Sequence, residues 1–306
     1  MMRKTGSSLM ADKNKRLSTN VPGTFYVDST CINCDTCRQL APASFVESDD
    51  FSSVYRQPER DQELLAAYQA LIACPVGSIG TLQNDKDKLH EALSSFPLEL
   101  DTRDKTAVYY NGFNSEKSFG ANSYFIEHPE GNWLIDSPRY MKRLVEAFER
   151  MGGIKYIFLT HEDDVADTGR YAGHFGATRI IHRADADAEP GSEWIIEGTE
   201  PITVRPEFRI IPVPGHTPGS LALLYADRYL FTGDHMGWDR EANGLRLATV
   251  YVWNEQMLRR STARLLEHTF EWILPGHADR VHLPADRMRE ELRLLLGRRL
   301  STAQIY

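Results

Sequence analysis

Three cysteines recur at three-residue intervals in Cys31-Ile-Asn-Cys34-Asp-Thr-Cys37, and the only other cysteine of the chain follows as Cys74-Pro75. A loop with that spacing can wrap three corners of a cubane [4Fe–4S] cluster, and a remote thiolate supplies the fourth. The proline after Cys74 fixes the backbone as it leaves the cluster. A zinc site on the same four cysteines is the alternative. Structural zinc sites generally pair two short Cys-x-x-Cys elements, whereas this chain has one loop and one single cysteine. Disulfides fit poorly, because four cysteines in a chain of 306 residues are not the scaffold of a small secreted domain.

A second set of residues offers only nitrogen and oxygen. It runs Thr160-His161-Glu162-Asp163-Asp164-Val165-Ala166-Asp167, then Pro214-Gly215-His216-Thr217-Pro218-Gly219-Ser220, then Phe231-Thr232-Gly233-Asp234-His235, then Pro275-Gly276-His277. Asn132-Trp133-Leu134-Ile135-Asp136 stands ahead of them. Imidazole and carboxylate together suit zinc or iron. Each segment follows a strand pattern and opens a turn, so its side chains can converge beside a sheet core.

The elements that must position these residues fall into two compositional stretches. In residues 21–98, Thr24–Val27 reads as a strand running into the cysteine loop. Arg60–Ile72 has helical spacing, with Leu64, Leu65, Tyr68, Leu71 and Ile72 on one face, and Gly77–Leu82 reads as a turn and a closing strand. Residues 96–106 are polar and mark the expected boundary, which sets domains at 21–98 and 99–306. Beyond it come strands at Asn122–Glu127 and Asn132–Ile135, a helix at Tyr140–Met151, and strands at Tyr156–Leu159, Arg179–Ile181, Phe208–Pro212, Leu221–Tyr225 and Tyr229–Phe231. Helices at Glu255–His268 and Ala285–Arg298 follow. This order predicts layered α+β packing with sheets inside and helices outside. Residues 1–20, with five Lys and Arg against one Asp, read as a disordered tail.

Residues 22–82 resemble the single-cluster bacterial ferredoxins. Two-cluster ferredoxins carry the run C-x₂-C-x₂-C-x₃-C-P twice. In this chain the first run ends in Ala41-Pro42, and the second keeps only Cys74-Pro75, with Leu64, Ala67 and Ala70 where its other cysteines would fall. All ligands of one cluster remain and those of the other are gone. The resemblance implies a ferredoxin-like domain that moves one electron at a time.

Residues 107–300 resemble the metallo-β-lactamase superfamily, most specifically in Gly215-His216-Thr217-Pro218-Gly219-Ser220 and Thr232-Gly233-Asp234. The resemblance implies an αββα sandwich and hydrolysis of an ester, thioester, lactam or phosphodiester by a nucleophile generated at a metal. It also implies a departure. Where the family has H-x-H-x-D-H, this chain has His161, Asp163, Val165 and Ala166. The first-metal set keeps His161 and His216 and takes Asp163 for a histidine. The second keeps Asp234 and His277 but loses two ligands to Val165 and Ala166, which cannot coordinate. The expectation is one zinc or iron ion on His161, Asp163 and His216 with Asp234 nearby, and Asp163 and Asp234 as catalytic carboxylates. Asp164 or Asp167 rebuilding a second site, and a metal-free pocket, stay open. Asp136 is expected to orient ligand loops, and His235 and His182 to hydrogen-bond behind them.

The chain has 35 Lys and Arg against 43 Asp and Glu, a net charge of −8. That argues against bulk nucleic-acid binding, which wants basic surfaces. Residues 21–98 carry 11 acidic against 5 basic residues, so the cluster domain would attract an electron donor or acceptor with a basic patch. No apolar run approaches the roughly 20 residues of a membrane helix. An exposed cluster suggests the cytoplasm or another reducing compartment such as a plastid stroma. Three functions are compatible with these residues: a redox-linked metalloprotein acting on a small molecule, a metal-dependent hydrolase with a structural or sensing cluster, and a non-catalytic electron carrier or redox sensor over a degenerate pocket.

Overall fold

The computed structural model describes residues 11–83, 85–103 and 106–298. The chain divides into two compact units. The first takes residues up to Lys155 together with Gly169–Ala177; the second takes Tyr156–Thr168 and the chain from Thr178.

The first unit begins with the elements around the cysteines: β1 (Phe25–Val27), α1 (Thr36–Leu40), β2 (Phe45–Ser48), β3 (Phe51–Val54), α2 (Asp61–Ala73), β4 (Ile79–Thr81) and α3 (Lys86–Ser94). Strands β1 and β4 pair antiparallel, Tyr26 opposite Gly80. Strands β2 and β3 form a hairpin around Asp49, whose φ of 53° is left-handed. Helix α2 carries Leu64, Ala67 and Ala70, the positions where the second run's cysteines would fall. Ala67 and Ala70 are fully buried on it, and the Tyr68 ring meets Phe25 edge-on at 5.2 Å. Its first turn is anchored by Glu63, which accepts from the Glu59 and Arg60 backbone amides and pairs with the Arg56 and Arg60 guanidinium groups at 2.8 and 2.6 Å.

Residues 11–20 are not a disordered tail. They carry a turn of 3-10 helix at Lys13–Lys15, and Arg16 bridges Asp28. Asn20 explains why they are packed. Its amide donates to the Leu17 and Val27 carbonyls, and its oxygen accepts from the Val27 and Val54 amides, at 2.8–3.0 Å. Composition registers the charges of this segment but not an asparagine whose hydrogen-bonding capacity is used this fully. Residues 1–10 of the expected tail lie outside the described residues.

Residues 96–106 are likewise more than a linker. Strand β5 (Leu98–Arg103) pairs antiparallel with β6 (Thr106–Tyr110), which pairs with β7 (Tyr124–Glu127) and then β8 (Trp133–Ile135). Helices α4 (Lys142–Arg150) and α5 (Thr168–Phe175) complete the unit, with Phe148 stacked on Phe125 at 4.7 Å and meeting Tyr171 at 6.0 Å. This unit therefore carries the cluster region and these four strands together, without a break at residue 98.

In the second unit β9 (Tyr156–Phe158), β10 (Thr178–His182) and β11 (Trp194–Ile196) run parallel. A six-stranded sheet has the order β12 (Ile202–Arg205), β13 (Phe208–Pro212), β14 (Leu221–Tyr225), β15 (Tyr229–Gly233), β18 (Trp272–Pro275) and β19 (Val281–His282). A hairpin of β16 (Met236–Asp239) and β17 (Gly244–Leu247) interrupts it in sequence. Helices α6 (Glu255–Arg264) and α7 (Ala285–Gly297) bury Leu258, Met288, Leu292 and Leu295 with Ile211, Leu224, Leu230 and Ile273 of the sheet. Each such side chain contributes about 1.5–3 kcal/mol of burial. Strand β13 is antiparallel to β14, β14 to β15, and β15 is parallel to β18. So β13, β15 and β18 end on the same edge. Among the described residues no helix is long and apolar enough to cross a membrane.

Glu63 makes the helix that delivers Cys74 sensitive to acid. Its hydrogen bonds from Arg60 and the Glu59 amide hold its carboxyl down at about 2, against an ordinary 4.5. A carboxyl depressed on folding stabilises the native state above its unfolded value, and that stabilisation is lost as pH falls from about 4.5 to about 2. The melting-temperature difference between wild type and Glu63→Gln should therefore be largest at pH 6–7 and shrink toward zero by pH 2–2.5, as read by circular dichroism. A difference that does not change with pH contradicts this role.

Candidate metal centres

The cysteine loop is wound by left-handed residues at Asn33 (φ 55°) and Asp35 (φ 69°), after which α1 begins. Arg38, only 7% exposed, pins it by donating to Asn33 Oδ1 at 2.6 Å and Ser52 Oγ at 3.0 Å and by pairing with Asp35. Cys74 caps the C-terminus of α2. The Arg139 guanidinium donates to the Ile72 and Pro75 carbonyls at 3.3 and 3.4 Å and holds this second strand of ligands. All four cysteines line one small cavity with Val27, Ile32, Val76 and Ile79.

Backbone amides point at the sulfurs: Asn33 and Ser52 at Cys31, 3.4 and 3.5 Å, and Ser78 at Cys74, 3.3 Å. All four cysteines are free thiols, and Cys37 and Cys74 are buried. Burial first, then the neighbouring sulfurs, pushes Cys34 up to about 12 and raises Cys37 and Cys74. Such thiols ionise only when a cation takes the place of their protons, which is what iron in a cluster provides. Apolar walls, amide donors and four convergent sulfurs fit a [4Fe–4S] cluster on Cys31, Cys34, Cys37 and Cys74.

The nitrogen and oxygen donors sit at strand ends. His161 follows β9 and precedes a 3-10 turn, Glu162–Asp164; His216 lies in the β13–β14 turn; Asp234 follows β15; His277 follows β18. His161 and His216 are 1% and 4% exposed, with ring centroids 4.9 Å apart at 78°. From His161 Nε2 it is 3.7 Å to Asp163 Oδ2 and 3.7 Å to Asp234 Oδ2. From His216 Nε2 the same two oxygens lie at 3.3 and 3.8 Å. An ion holding nitrogen and oxygen ligands tetrahedrally at about 2.0–2.2 Å spaces them about 3.3–3.6 Å apart. These donors are thus spread as ligands of one ion are, and the ligand atoms of His161, His216 and Asp234 all lie within 4.8 Å of one another.

Asp163 is half-exposed, so it stands at the mouth of the site, and its hydrogen bond with His216 lowers its pKa. Burial alone would raise Asp234. The charge of His277 and the hydrogen bonds of His161 and His277 outweigh it and hold the carboxyl well below the usual range. Burial alone would lower His277, but Asp234, whose two oxygens are 2.7 and 2.8 Å from Nδ1, pushes it up to about 9.

Among the residues left open, Asp164 is 1% exposed and its Oδ2 lies 4.0 Å from His161 Nδ1. A Cβ on Gly276 would fall 2.8 Å from that oxygen and 2.6 Å from Asp234 Oδ1, so a glycine is required where the two carboxylates approach. His235 serves packing. Burial lowers it to about 3, and its Nε2 is hydrogen-bonded to Thr262 Oγ1 at 2.9 Å. His182 caps a 3-10 helix through the Ala184 amide. Asp136 is buried after β8 in a left-handed conformation, φ 53°.

One residue that carries the site had no signal in the sequence. Asp185, 0% exposed, accepts from Gly219 N at 2.9 Å, Thr217 Oγ1 at 2.5 Å and Glu162 N at 3.2 Å. It therefore ties the His216 turn to the His161 turn. Removing its carboxylate leaves buried donors unsatisfied, at a cost of about 2–4 kcal/mol. Asp185→Ala should melt earlier by that amount and release the second-domain metal at chelator concentrations that spare wild type, while retaining four irons. Unchanged metal retention in this variant rules out the tether.

The family model for the 4Fe-4S single cluster domain of Ferredoxin I matches residues 27–81, and that of the metallo-beta-lactamase superfamily matches residues 101–268. The chain is 29% identical over 116 residues to a hydroxyacylglutathione hydrolase of Acidiphilium cryptum; the match takes 37% of this chain and spans about half, 47%, of that protein. The peroxy diiron form of the chemotaxis sensor ODP shares the fold at a TM-score of 0.52 and 17% identity, covering 66% of this chain and 95% of that one. ETHE1 from Myxococcus xanthus aligns at a TM-score of 0.45 and 20% identity, over 62% of this chain and 85% of its own. The fold is α+β, a ferredoxin-like region followed by an αββα sandwich. With more than half of its length matched, the chain belongs to the metallo-beta-lactamase superfamily, carrying a single-cluster 4Fe-4S ferredoxin domain ahead of that fold.

Proposed function

We propose that this protein is a redox-linked metalloprotein. The ferredoxin-like domain exchanges single electrons with a partner protein and serves a one-ion site in the second domain that acts on a small molecule. The spacing of the four nitrogen and oxygen donors, 3.3–3.8 Å between the imidazoles and the carboxylates, carries this reading. Val165 and Ala166 contribute no donor for a second ion. Two histidines with carboxylate is a set used by mononuclear iron as well as by zinc.

When bound, the cluster supplies one-electron transfer and the ion supplies Lewis-acid or redox chemistry. The residues do the rest. His161 and His216 are buried and fix the ligand geometry, while Asp234 is held ionised between them and His277. Asp163, ionised and half-exposed, is placed to take a proton from a group entering the site. At the cluster, Ile32 and Val46 are 40% and 41% exposed, and Asn33 Nδ2 reaches Glu47, with Asp49 and Asp50 exposed beyond it. An apolar spot rimmed by acid suits a partner with a basic patch.

A second reading, a hydrolase whose cluster is structural or sensing, is favoured by the sequence match to the hydroxyacylglutathione hydrolase. That compound is the first substrate to try.

Iron and zinc counted per chain after anaerobic purification separate the readings. Wild type should hold four irons plus one further metal. Cys74→Ser should lose the four and keep the one; His216→Ala should do the reverse. Two further metals lost with His216 overturn the one-ion site. Reducing the cluster with dithionite should change the spectrum of the second-domain metal. Zinc there, no spectral response, and thioester hydrolysis abolished in His216→Ala establish the hydrolase instead.

A further inference from the structure

A loop beyond the ferredoxin match closes over one corner of the cluster site. Gly120, between β6 and β7, adopts φ +86°, and a Cβ there would lie 2.7 Å from Cys34 Cβ and 2.9 Å from its Sγ. Only a glycine lets this backbone lie against the sulfur. Beside it, Thr36 Oγ1 is 3.4 Å from Cys34 Sγ, 3.3 Å from the Gly120 carbonyl and 3.1 Å from Asn114 Nδ2. The same Asn114 amide donates to the Gly120 carbonyl at 2.6 Å, and its oxygen accepts from Tyr110 Oη at 2.7 Å. Thr36 and Asn114 are 2% and 0% exposed.

Counting protons decides where each bond points. A threonine hydroxyl has one hydrogen and two lone pairs; an amide nitrogen has two hydrogens. The Gly120 carbonyl, which can only accept, fixes Asn114 with its nitrogen toward Thr36 and Gly120. One amide hydrogen goes to the Gly120 carbonyl and the other to the Thr36 oxygen. In the thiol form Cys34 donates to Thr36 Oγ1 and the Thr36 hydrogen points to the Gly120 carbonyl at 3.3 Å. With Cys34 a thiolate the single Thr36 hydrogen turns to the sulfur, because the charged acceptor outcompetes a carbonyl that Asn114 already supplies by the shorter bond. As a cluster ligand Cys34 is a thiolate, hence an acceptor. Hydrogen bonds to ligand sulfurs favour the reduced, more negative cluster and raise its potential. Burial strengthens the effect.

We infer that Asn114 is a positioning residue for the cluster: by satisfying the Gly120 carbonyl it directs the Thr36 hydroxyl onto the Cys34 sulfur and so raises the reduction potential. The inference rests on the cluster lying on the four cysteines. Without Asn114, the Gly120 carbonyl takes the Thr36 hydrogen and the sulfur loses its hydroxyl donor, keeping the Thr36 backbone amide. A segment of the metallo-beta-lactamase region thus sets a property of the ferredoxin region.

The test is an anaerobic potentiometric titration of the full chain, followed by electron paramagnetic resonance, with iron counted in every sample. Thr36→Val and Asn114→Leu should each lower the potential, and Thr36→Ser should restore it. The double variant should match Thr36→Val alone, because Asn114 acts only through that hydroxyl. Asn122→Leu, which breaks a 3.2 Å bond from the same loop to Gln39 without touching a sulfur, should leave the potential unmoved. Equal potentials for Thr36→Val and Thr36→Ser overturn the inference even if Asn114→Leu fails to fold. So does a further fall in the double variant. Fewer than four irons in wild type rejects the cluster reading itself, which is a different failure.

Discussion

A buried thiol keeps its proton unless a cation replaces it, and residues 25–81 are arranged around that rule. Cys34, Cys37 and Cys74 face one another in an apolar cavity, where burial and mutual repulsion both oppose the thiolate. Helix α2, the left-handed Asn33 and Asp35, and the Arg38 and Arg139 guanidinium groups bring the sulfurs together regardless. The chain therefore stores an unfavourable charge problem that iron solves. The amides of Asn33, Ser52 and Ser78 that point at sulfur serve the same end, stabilising the thiolates once iron is held. The same logic governs the second centre, where the buried Asp164 and the partly buried Asp234 lie near imidazoles and the compensation is built from histidines.

Both centres depend on buried polar side chains that join separate turns. In the second, three strands with a common direction deliver His216, Asp234 and His277 to one edge, but strand geometry alone leaves the turns free to drift. Asp185 removes that freedom by accepting from both ligand turns at once. Asn20 does the same for the strands behind the cysteine loop. A fully satisfied network rigidifies its surroundings, which is the state a metal site needs before the ion arrives.

What was legible in the sequence follows from what periodicity and motif can carry. Strands β13 and β14 and helix α2 were readable because their apolar spacing is set by the core they face. The ligands were readable because metal donors are rare residue types at fixed spacings. The β2–β3 hairpin was missed because its turn is Ser-Asp-Asp, without the Asn-Gly or Asp-Gly that announces a tight hairpin. Strand β5 was missed because Leu98–Arg103 lies at the sheet's end and is mostly polar. Asp185 and Asn114 were out of reach for a different reason. Their partners lie in other turns, and a lone Asp or Asn in a loop reads as a solvated residue until those turns are in place.

Donor chemistry sorts the two centres within one chain. Every sulfur ligand lies between residues 31 and 74, and residues 75–306 contain no cysteine. Soft thiolates gather iron into a cluster; imidazole and carboxylate take a single borderline or hard ion. The two donor sets thus favour different metal chemistry. For the nitrogen and oxygen site the intrinsic order of affinities favours zinc over ferrous iron, so geometry and supply decide which is held. Replacing a family histidine by Asp163 moves that balance: it exchanges a nitrogen for a charged oxygen at the exposed mouth, the harder donor, and leaves the buried imidazoles to set direction. On the proposed one-ion reading, the substitution at Asp163 and the losses at Val165 and Ala166 act together, exchanging a histidine-rich donor set for two imidazoles and two carboxylates.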